Sequence, residues 1–360
     1  MRPVYWLSVF IPLAVGLRLA GAPATAVFVT SAIGVIPTAA LMSDSTEQLA
    51  ERAGPGIGGV LNVTFGNAPE LIIAFFALID GLQEVVKASL IGSVLGNSLL
   101  VFGAAILVGG RRHERLRFNA AGARIQAALI VVALVAFAVP TLVRLSTGGL
   151  PAVGEERHHF SGGVQGISLA LSIALIAGYA IYLRFSLRTH RHLFAAWDAD
   201  DSEPDERVWS VRTSVLLLAA AGVLVGVMSE ILVGSIEKAS HAIGLTQFFV
   251  GVVVVAIVGN AAEHYVAVVA AAKDKMDLTV NIALGSSVQI ALFVTPLLVV
   301  LSFLFGPFPL GLVLNGYEIA GLIVAAIAAN LVAARASSTW HEGAAMLTAY
   351  AALVVVFAAA

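Results

Sequence analysis

Two short stretches of this chain decide how it folds, and they have nearly the same residues. The first reads Gly66-Asn-Ala-Pro-Glu70 and the second reads Gly259-Asn-Ala-Ala-Glu263. A Gly-Ser pair follows each stretch at the same distance, because Gly92 lies 22 residues after Glu70 and Gly285 lies 22 residues after Glu263. Two matched elements at equal spacing indicate an internal repeat.

The composition around these stretches is that of a membrane protein. Of the 360 residues, 59% are hydrophobic and only 12% are charged, and the mean hydropathy is +0.96. The apolar residues form blocks of about 20 residues, the length that a helix needs to cross a bilayer. We therefore predict an all-α, polytopic membrane protein. The absence of cysteine excludes disulfides and thiolate metal sites, and the net charge of −2 argues against a nucleic-acid partner.

The blocks predict about eleven transmembrane helices. The first apolar stretch resembles a signal peptide, but its length and the spans that follow at once favour a retained helix. The predicted helices lie near 4–20, 23–42, 54–80, 84–109, 122–145, 162–184, 209–233, 244–272, 278–305, 310–335 and 341–359. The predicted divisions are an extra N-terminal transmembrane helix (1–22), a first five-helix repeat (23–188), an acidic cytoplasmic linker (189–208) and a second five-helix repeat (209–360). The linker is either a solvated hinge or a segment that attracts divalent cations.

The positive charges predict the orientation. If the N-terminus is placed on one side and the chain alternates, that side receives fifteen Lys and Arg residues and the other side receives five. The N-terminus is therefore predicted to be cytoplasmic. Five helices per half is an odd number, so the two halves enter the membrane from opposite sides. This is the inverted repeat of secondary transporters, in which discontinuous helices carry ion sites near the midplane.

The two motif glutamates, Glu70 and Glu263, are the leading candidates for ion binding. A glutamate in the hydrocarbon region is costly, and two at equivalent positions favour a functional role over an inert, protonated core residue. Gly66 and Gly259 favour unusual backbone geometry. Pro69 reinforces a helix break in the first motif, whereas the second motif has alanine at the matching position.

A broken helix exposes carbonyl oxygens, and Asn67 and Asn260 add amide oxygens. Such oxygens suit Ca²⁺, which takes six to eight oxygen ligands at roughly 2.3–2.6 Å. Because bound Ca²⁺ and protons compete for the same buried carboxyl groups, such a site predicts an antiporter. His264 follows Glu263 directly and is either a proton relay or a core histidine.

Other polar residues near the motifs are candidates for supporting roles. Some could hydrogen-bond the glutamates, or they could simply let helices pack closely: Gln289, Ser286, Ser287, Ser93 and Asn97. Four acidic residues near predicted span ends could line cation entrances, or could simply be interfacial: Glu47, Glu230, Glu237 and Asp44.

With these motifs, the chain resembles the Ca²⁺/H⁺ exchanger family of the cation/Ca²⁺ antiporter superfamily. The family's repeats have the form G-N-A-x-E, and the second continues into histidine. Further similar stretches are Leu61-Asn-Val-Thr-Phe65, Lys273-Asp-Lys-Met-Asp277, Gly285-Ser-Ser-Val-Gln289 and Trp340-His-Glu-Gly343. The resemblance implies eleven helices and Ca²⁺ export against a proton gradient. It also implies that Glu70 and Glu263 carry the cation and the protons, with His264 and Gln289 around them.

The resemblance leaves the coupling ion open in one respect. Pro69 is more typical of the sodium/calcium branch, whose pattern is G-T/S-S-x-P-E, although this chain lacks that branch's hydroxyl residues. The alternatives are a Na⁺/Ca²⁺ exchanger, a cation channel and a membrane-embedded enzyme. The leading prediction has no cofactor, takes Ca²⁺ as transported substrate and H⁺ as the exchanged ion, and places the protein in a lipid bilayer, the plasma membrane of a prokaryote.

Overall fold

The computed structural model describes residues 3–154, 160–190, 193 and 209–360, with backbone only for 54–57, 59, 60 and 63. These residues form eleven helices, as the apolar blocks predict. In chain order they are α1 (Pro3–Leu19), α2 (Ala24–Phe65), α3 (Ala68–Ile79), α4 (Gln83–Gly110), α5 (Ala120–Gly148), α6 (Gly162–Thr189), α7 (Val211–Ile243), α8 (Gln247–Ala272), α9 (Met276–Phe305), α10 (Gly316–Arg335) and α11 (Trp340–Ala358). Two residues of β1 (Leu116–Arg117) pair antiparallel with β2 (Ser337–Ser338).

Most of these helices match the dimensions of a bilayer. Among the described residues, nine helices are long and apolar enough to cross a membrane, with α2 contributing its Ala24–Ala53 part. The two shorter apolar helices are α1 and α3. The expected all-helical architecture is therefore present.

The predicted boundary between the second and third helices is wrong. We expected a connection at about residues 43–53, but α2 runs without interruption from Ala24 to Phe65. The stretch is polar, yet its Glu, Gln, Leu, Ala and Arg residues are good helix formers. Ser45 and Thr46 donate back to the carbonyls of Leu41 and Met42 at 2.6 and 2.8 Å. Polarity alone therefore did not indicate a loop here.

The chain forms two compact units, and each takes helices from both sequence halves. The first unit comprises Met1–Ser89 and Glu203–Ala262, and the second comprises Leu90–Ser202 and Glu263–Ala360. A repeat is a correspondence of sequence, whereas a compact unit is a set of packed helices. The predicted division into repeats at 23–188 and 209–360 therefore stays a prediction. Most of the predicted linker 189–208 lies outside the described residues.

Close helix packing holds each unit together. In the first unit, α2 and α3 both pack against α7. In the second unit, α5 packs against α10 and α9, and the end of α4 packs against α11. A Cβ atom at Gly343 would lie 2.5 Å from the backbone nitrogen of Leu107, so glycine is what allows α4 and α11 to approach.

Two wide helical turns support the repeat. The turn in α4 spans Gly96–Val101 and the turn in α9 spans Ile290–Val294, both with π-helical hydrogen bonding. Val101 and Val294 are 193 residues apart, which is also the separation of Glu70 and Glu263. The two π-helical turns therefore occupy corresponding positions in the two halves, as the two motifs do.

One buried segment of the second unit is not helical. Leu310–Asn315 precedes α10 and is buried throughout. The Leu312 amide donates to Ser168 Oγ at 3.0 Å, and the Leu314 amide donates to Thr141 Oγ1 at 3.1 Å. Hydroxyl groups of α6 and α5 thus satisfy backbone groups that no helix satisfies, as a membrane interior requires.

Candidate functional site

The first motif breaks a helix, as its sequence predicts. Helix α2 ends at Phe65 and α3 begins at Ala68, with Gly66 and Asn67 between them. Pro69 lies in the first turn of α3, where its missing amide hydrogen costs no helical hydrogen bond. Glu70 also lies in this first turn. The side chains of Glu70 and Asn67 are buried, with 7% and 2% of their surface exposed.

Glycine is required at the break itself. A Cβ atom at Gly66 would lie 2.5 Å from the carbonyl oxygen of Asn62, closer than real Cβ atoms approach. The amide of Gly66 donates to this same oxygen at 2.7 Å. The end of α2 is therefore tightened around residue 66, and a side chain there would force the backbone to move.

The second motif does not break its helix, which corrects the expected second break. A regular α-helix runs from Ala256 to Ala272 and includes all of Gly259–Glu263. The physical reason is Ala262, which stands where the first motif has Pro69 and keeps its amide hydrogen. The irregularity of α8 lies one turn earlier, in the π-helical turn Val250–Val255.

Within the first unit, the glycine of the second motif lies against the glutamate of the first. A Cβ atom at Gly259 would be 3.4 Å from Glu70 Cγ and 3.5 Å from Glu70 Oε1. Asn260 is 1% exposed, and its Nδ2 donates to the Ala256 carbonyl at 2.8 Å. This bond uses the side-chain nitrogen of Asn260. The side-chain oxygen, which is the atom proposed for cation binding, takes no part in it.

Within the second unit, Glu263 and His264 each have a polar neighbour that the sequence had singled out. Ser286 on α9 donates to Glu263 Oε2 at 2.5 Å. His264 Nε2 lies 3.2 Å from Asn97 Oδ1, in the wide turn of α4. Two of the predicted supporting residues therefore lie in hydrogen-bond contact with the second motif.

The remaining supporting candidates differ in their surroundings. Gln289 shares a side-chain hydrogen bond with Tyr179 of α6, a residue that sequence reasoning missed because it lies in an ordinary apolar helix. Ser287 lies 2.9 Å from Ser98 Oγ and joins α9 to α4. Ser93 is buried on α4, with 3% of its surface exposed.

The four acidic residues predicted at cation entrances lie on α2 and α7 of the first unit. Asp44 accepts a hydrogen bond from the Tyr5 hydroxyl at 2.7 Å. Glu230 lies 3.8 Å from Arg18, and both side chains are largely exposed, so this ion pair is weak. Glu47 and Glu237 are exposed. Their proposed role in cation entry stays a prediction.

No group of three or more His, Asp or Glu side chains lies close enough to hold a metal ion within the described ranges.

The arrangement matches a known family of transporters. The family model described as sodium/calcium exchanger protein matches residues 23–188 and 213–359. The chain belongs to this family. The exchanger is 40% identical over 368 residues to a Ca²⁺/H⁺ antiporter of Synechocystis, covering 98% of this chain and 95% of that protein. It is 39% identical over 349 residues to the Ca²⁺/H⁺ antiporter ChaA of Bacillus subtilis, covering 96% of each.

The fold of the exchanger also matches a solved structure. Native YfkE superimposes with a TM-score of 0.84 at 36% identity, covering 99% of this chain and 100% of that one. The predicted resemblance to the Ca²⁺/H⁺ exchangers and the predicted all-α membrane fold are therefore confirmed. The exchanger is an integral membrane protein.

Proposed function

We propose that this chain exchanges Ca²⁺ for H⁺ and exports Ca²⁺ from the cytosol with the energy of a proton gradient. The observation that carries the proposal is the nearly full-length match to two bacterial proteins named Ca²⁺/H⁺ antiporters. Their names also support a secondary transporter rather than an enzyme. Ca²⁺ is then the transported substrate.

Glu70 and Glu263 are proposed to bind the same Ca²⁺ ion. Each is supported by its own surroundings. Glu70 is buried in the first turn of α3, where the helix N-terminus stabilises negative charge, and Asn67 lies at the start of that turn. Glu263 has the hydroxyl of Ser286 at 2.5 Å, and Asn260 lies one turn earlier on α8. Carboxylate, amide and hydroxyl oxygens are all ligands of the kind that Ca²⁺ takes.

Protons are proposed to bind the same carboxyl groups when Ca²⁺ leaves. Burial favours the neutral form of a carboxyl group and bound Ca²⁺ favours its charged form, so the two ions exclude each other. Alternating exposure of one such site to the two sides of the membrane is sufficient for exchange. His264, held near Asn97, is proposed to relay protons to this region.

The location and orientation follow from the sequence and belong to the proposal. The excess of Lys and Arg on one side places the N-terminus in the cytoplasm. The bacterial relatives support a prokaryotic plasma membrane.

A second candidate is Na⁺/Ca²⁺ exchange. Two observations favour it: the family description names sodium, and Pro69 fits the sodium branch's motif. The lack of hydroxyl residues at the two positions after Gly66 weighs against it. The two candidates differ in which gradient drives Ca²⁺.

The deciding experiment is ⁴⁵Ca²⁺ uptake into inside-out vesicles with either an imposed pH gradient or an imposed Na⁺ gradient. We expect uptake to follow the pH gradient and to collapse with a protonophore. Uptake that follows only the Na⁺ gradient would identify the second candidate, and flux that neither gradient drives uphill would identify a channel.

The site is tested in the same vesicles by removing one charge at a time. Glu70→Gln and Glu263→Gln should each abolish uptake while the protein still reaches the membrane. Asp80→Asn is the matched control, because this carboxylate is exposed just after α3 and should be dispensable. Normal transport by either glutamine variant would mean that the assignment of that glutamate is wrong.

A further inference from the structure

The second unit buries a glutamine that the proposed mechanism does not use. Gln126 of α5 is 2% exposed, and its Nε2 donates to Asn281 Oδ1 of α9 at 2.9 Å. The side chain also shares a hydrogen bond with Tyr182 of α6, but no hydrogen bond within the described part of the chain reaches its Oε1. A buried amide oxygen carries a desolvation cost unless a water or another donor reaches it. This oxygen is therefore a natural place for water inside the unit.

On one side, Gln126 is one hydrogen bond away from the surface. A small surface pocket is lined by Asn119, Asp277 and Asn281, together with small and apolar residues. The amide of Asn119 donates to Asp277 Oδ1 at 2.6 Å, which fixes this carboxylate in the wall. Since Asn281 also accepts from Gln126, the polar surface of the pocket continues to the buried amide.

On the other side, Gln126 lies next to Gly285. Its Nε2 is 3.6 Å from the position that a Cβ atom would take at Gly285, the residue before Ser286. Asp277, Asn281 and Gly285 follow each other at intervals of four residues, so they lie along one face of α9. A stripe of polar or very small residues thus leads from the pocket to Gly285, and the next residue in the chain is Ser286, whose hydroxyl contacts Glu263.

We propose that Gln126 and Asn281 line a water-filled route through which protons pass between the pocket at Asp277 and Ser286, and so reach Glu263. The proposal rests on the proposed function, because it supplies protons to an exchanger. The charge pattern predicts that the pocket opens to the cytoplasm.

The size of the route favours protons over Ca²⁺. The space beside Gln126 at Gly285 is that of one Cβ atom, which would lie 3.6 Å from Nε2. A water molecule fits such a gap, whereas Ca²⁺ brings six to eight oxygen ligands at roughly 2.3–2.6 Å. For delivery, Ser286 gives its hydroxyl proton to Glu263 along the existing hydrogen bond and takes one from the adjacent water. Each water oxygen on the route, and the Ser286 hydroxyl oxygen, thus gains one proton and gives one.

Access of water can be tested directly, because the chain has no cysteine of its own. We expect Gln126→Cys and Gly285→Cys to react with a small, membrane-impermeant methanethiosulfonate added to inside-out vesicles. Ala133→Cys is the matched control, since Ala133 is equally buried on α5 at 2% exposed but lies two helical turns beyond Gln126. If residues 126 and 285 are as unreactive as residue 133, there is no water-filled route.

The role in proton transfer is tested with Gln126→Leu in proteoliposomes. Exchange of ⁴⁵Ca²⁺ for unlabelled Ca²⁺ needs no net movement of protons, whereas uptake driven by a pH gradient does. We expect pH-driven uptake to fall by about tenfold, as for the loss of a hydrogen bond that holds the water in place, and Ca²⁺ self-exchange to stay nearly unchanged. Thr141→Val removes a different buried polar group from the same helix. It should change pH-driven uptake and Ca²⁺ self-exchange by the same factor.

The outcomes distinguish this inference from the proposed function. If Gln126→Leu lowers both rates equally, or neither, the proton route is wrong. If the wild-type protein itself shows no pH-driven uptake, the proposed function fails, and thiol labelling still decides whether water reaches Gln126.

Discussion

The two motifs share four of their five residues, yet their backbones differ. In the first, the helix ends and a new one starts within Gly66-Asn-Ala-Pro-Glu70; in the second, a regular helix runs through Gly259–Glu263. The one differing residue is Pro69 against Ala262. The repeated motif thus predicted the positions of the two glutamates in the sequence. The proline explains why only the first motif has a helix break.

The two glutamates are consequently stabilised in different ways. Glu70 lies in the first turn of α3, where amide groups have no helical acceptor. Glu263 lies inside a regular helix, where all amides are used, and receives a hydrogen bond from Ser286 instead. A side chain of α9 therefore stabilises Glu263, whereas backbone amides stabilise Glu70.

The largest expected effect comes from exchanging the residue that differs. Ala262→Pro removes an amide hydrogen inside a regular helix and should cost about 3 kcal/mol of stability. Pro69→Ala should be nearly neutral, because the helix already begins there. Thermal unfolding in detergent would measure both. Equal unfolding temperatures for the two variants would show that the proline does not explain the difference.

A smaller effect is expected at the glycines. Gly66→Ala places a Cβ 2.5 Å from the Asn62 carbonyl and should destabilise the protein by about 1–3 kcal/mol, the usual cost of overpacking. Gly259→Ala meets Glu70 only at 3.4 Å, an ordinary contact, so it should fold normally. Its methyl group lies beside the carboxylate, and we therefore expect a raised KM for Ca²⁺. If Gly259→Ala unfolds as easily as Gly66→Ala, the contrast between the two glycines is wrong.

The smallest expected effect is at the hydroxyl that serves Glu263. In Ca²⁺ self-exchange, which needs no net movement of protons, Ser286→Ala should raise the KM for Ca²⁺ about fivefold, since one hydrogen bond contributes on the order of 1 kcal/mol. Ser287→Ala is the control, because this hydroxyl contacts Ser98 and backbone carbonyls. Uptake measured against Ca²⁺ concentration separates the two variants. A rise in KM for Ser287→Ala alone would contradict the role given to Ser286.

The sequence predicted the features that repeat or that depend on local chemistry. It predicted eleven helices, the break before Glu70 and Ser286 as a hydrogen-bond partner of a motif glutamate, whereas Asn97, predicted as another such partner, contacts His264. It failed at the polar stretch 43–53, where good helix formers keep α2 continuous, and at the second motif, where Ala262 leaves the helix unbroken. It also missed the contact of Gln126 with Asn281, which joins residues 155 positions apart. No periodicity in a single sequence reveals such a pairing.

The non-helical segment Leu310–Asn315 bears on how the chain assembles. In hydrocarbon, the amides of Leu312 and Leu314 would have no acceptor until Ser168 and Thr141 are in place. The last two helices can therefore settle only after α5 and α6 are already in the bilayer. Because synthesis starts at the N-terminus, Thr141 and Ser168 are made before the segment Leu310–Asn315 that needs their hydroxyl groups. The acceptors are thus available when this non-helical segment enters the membrane.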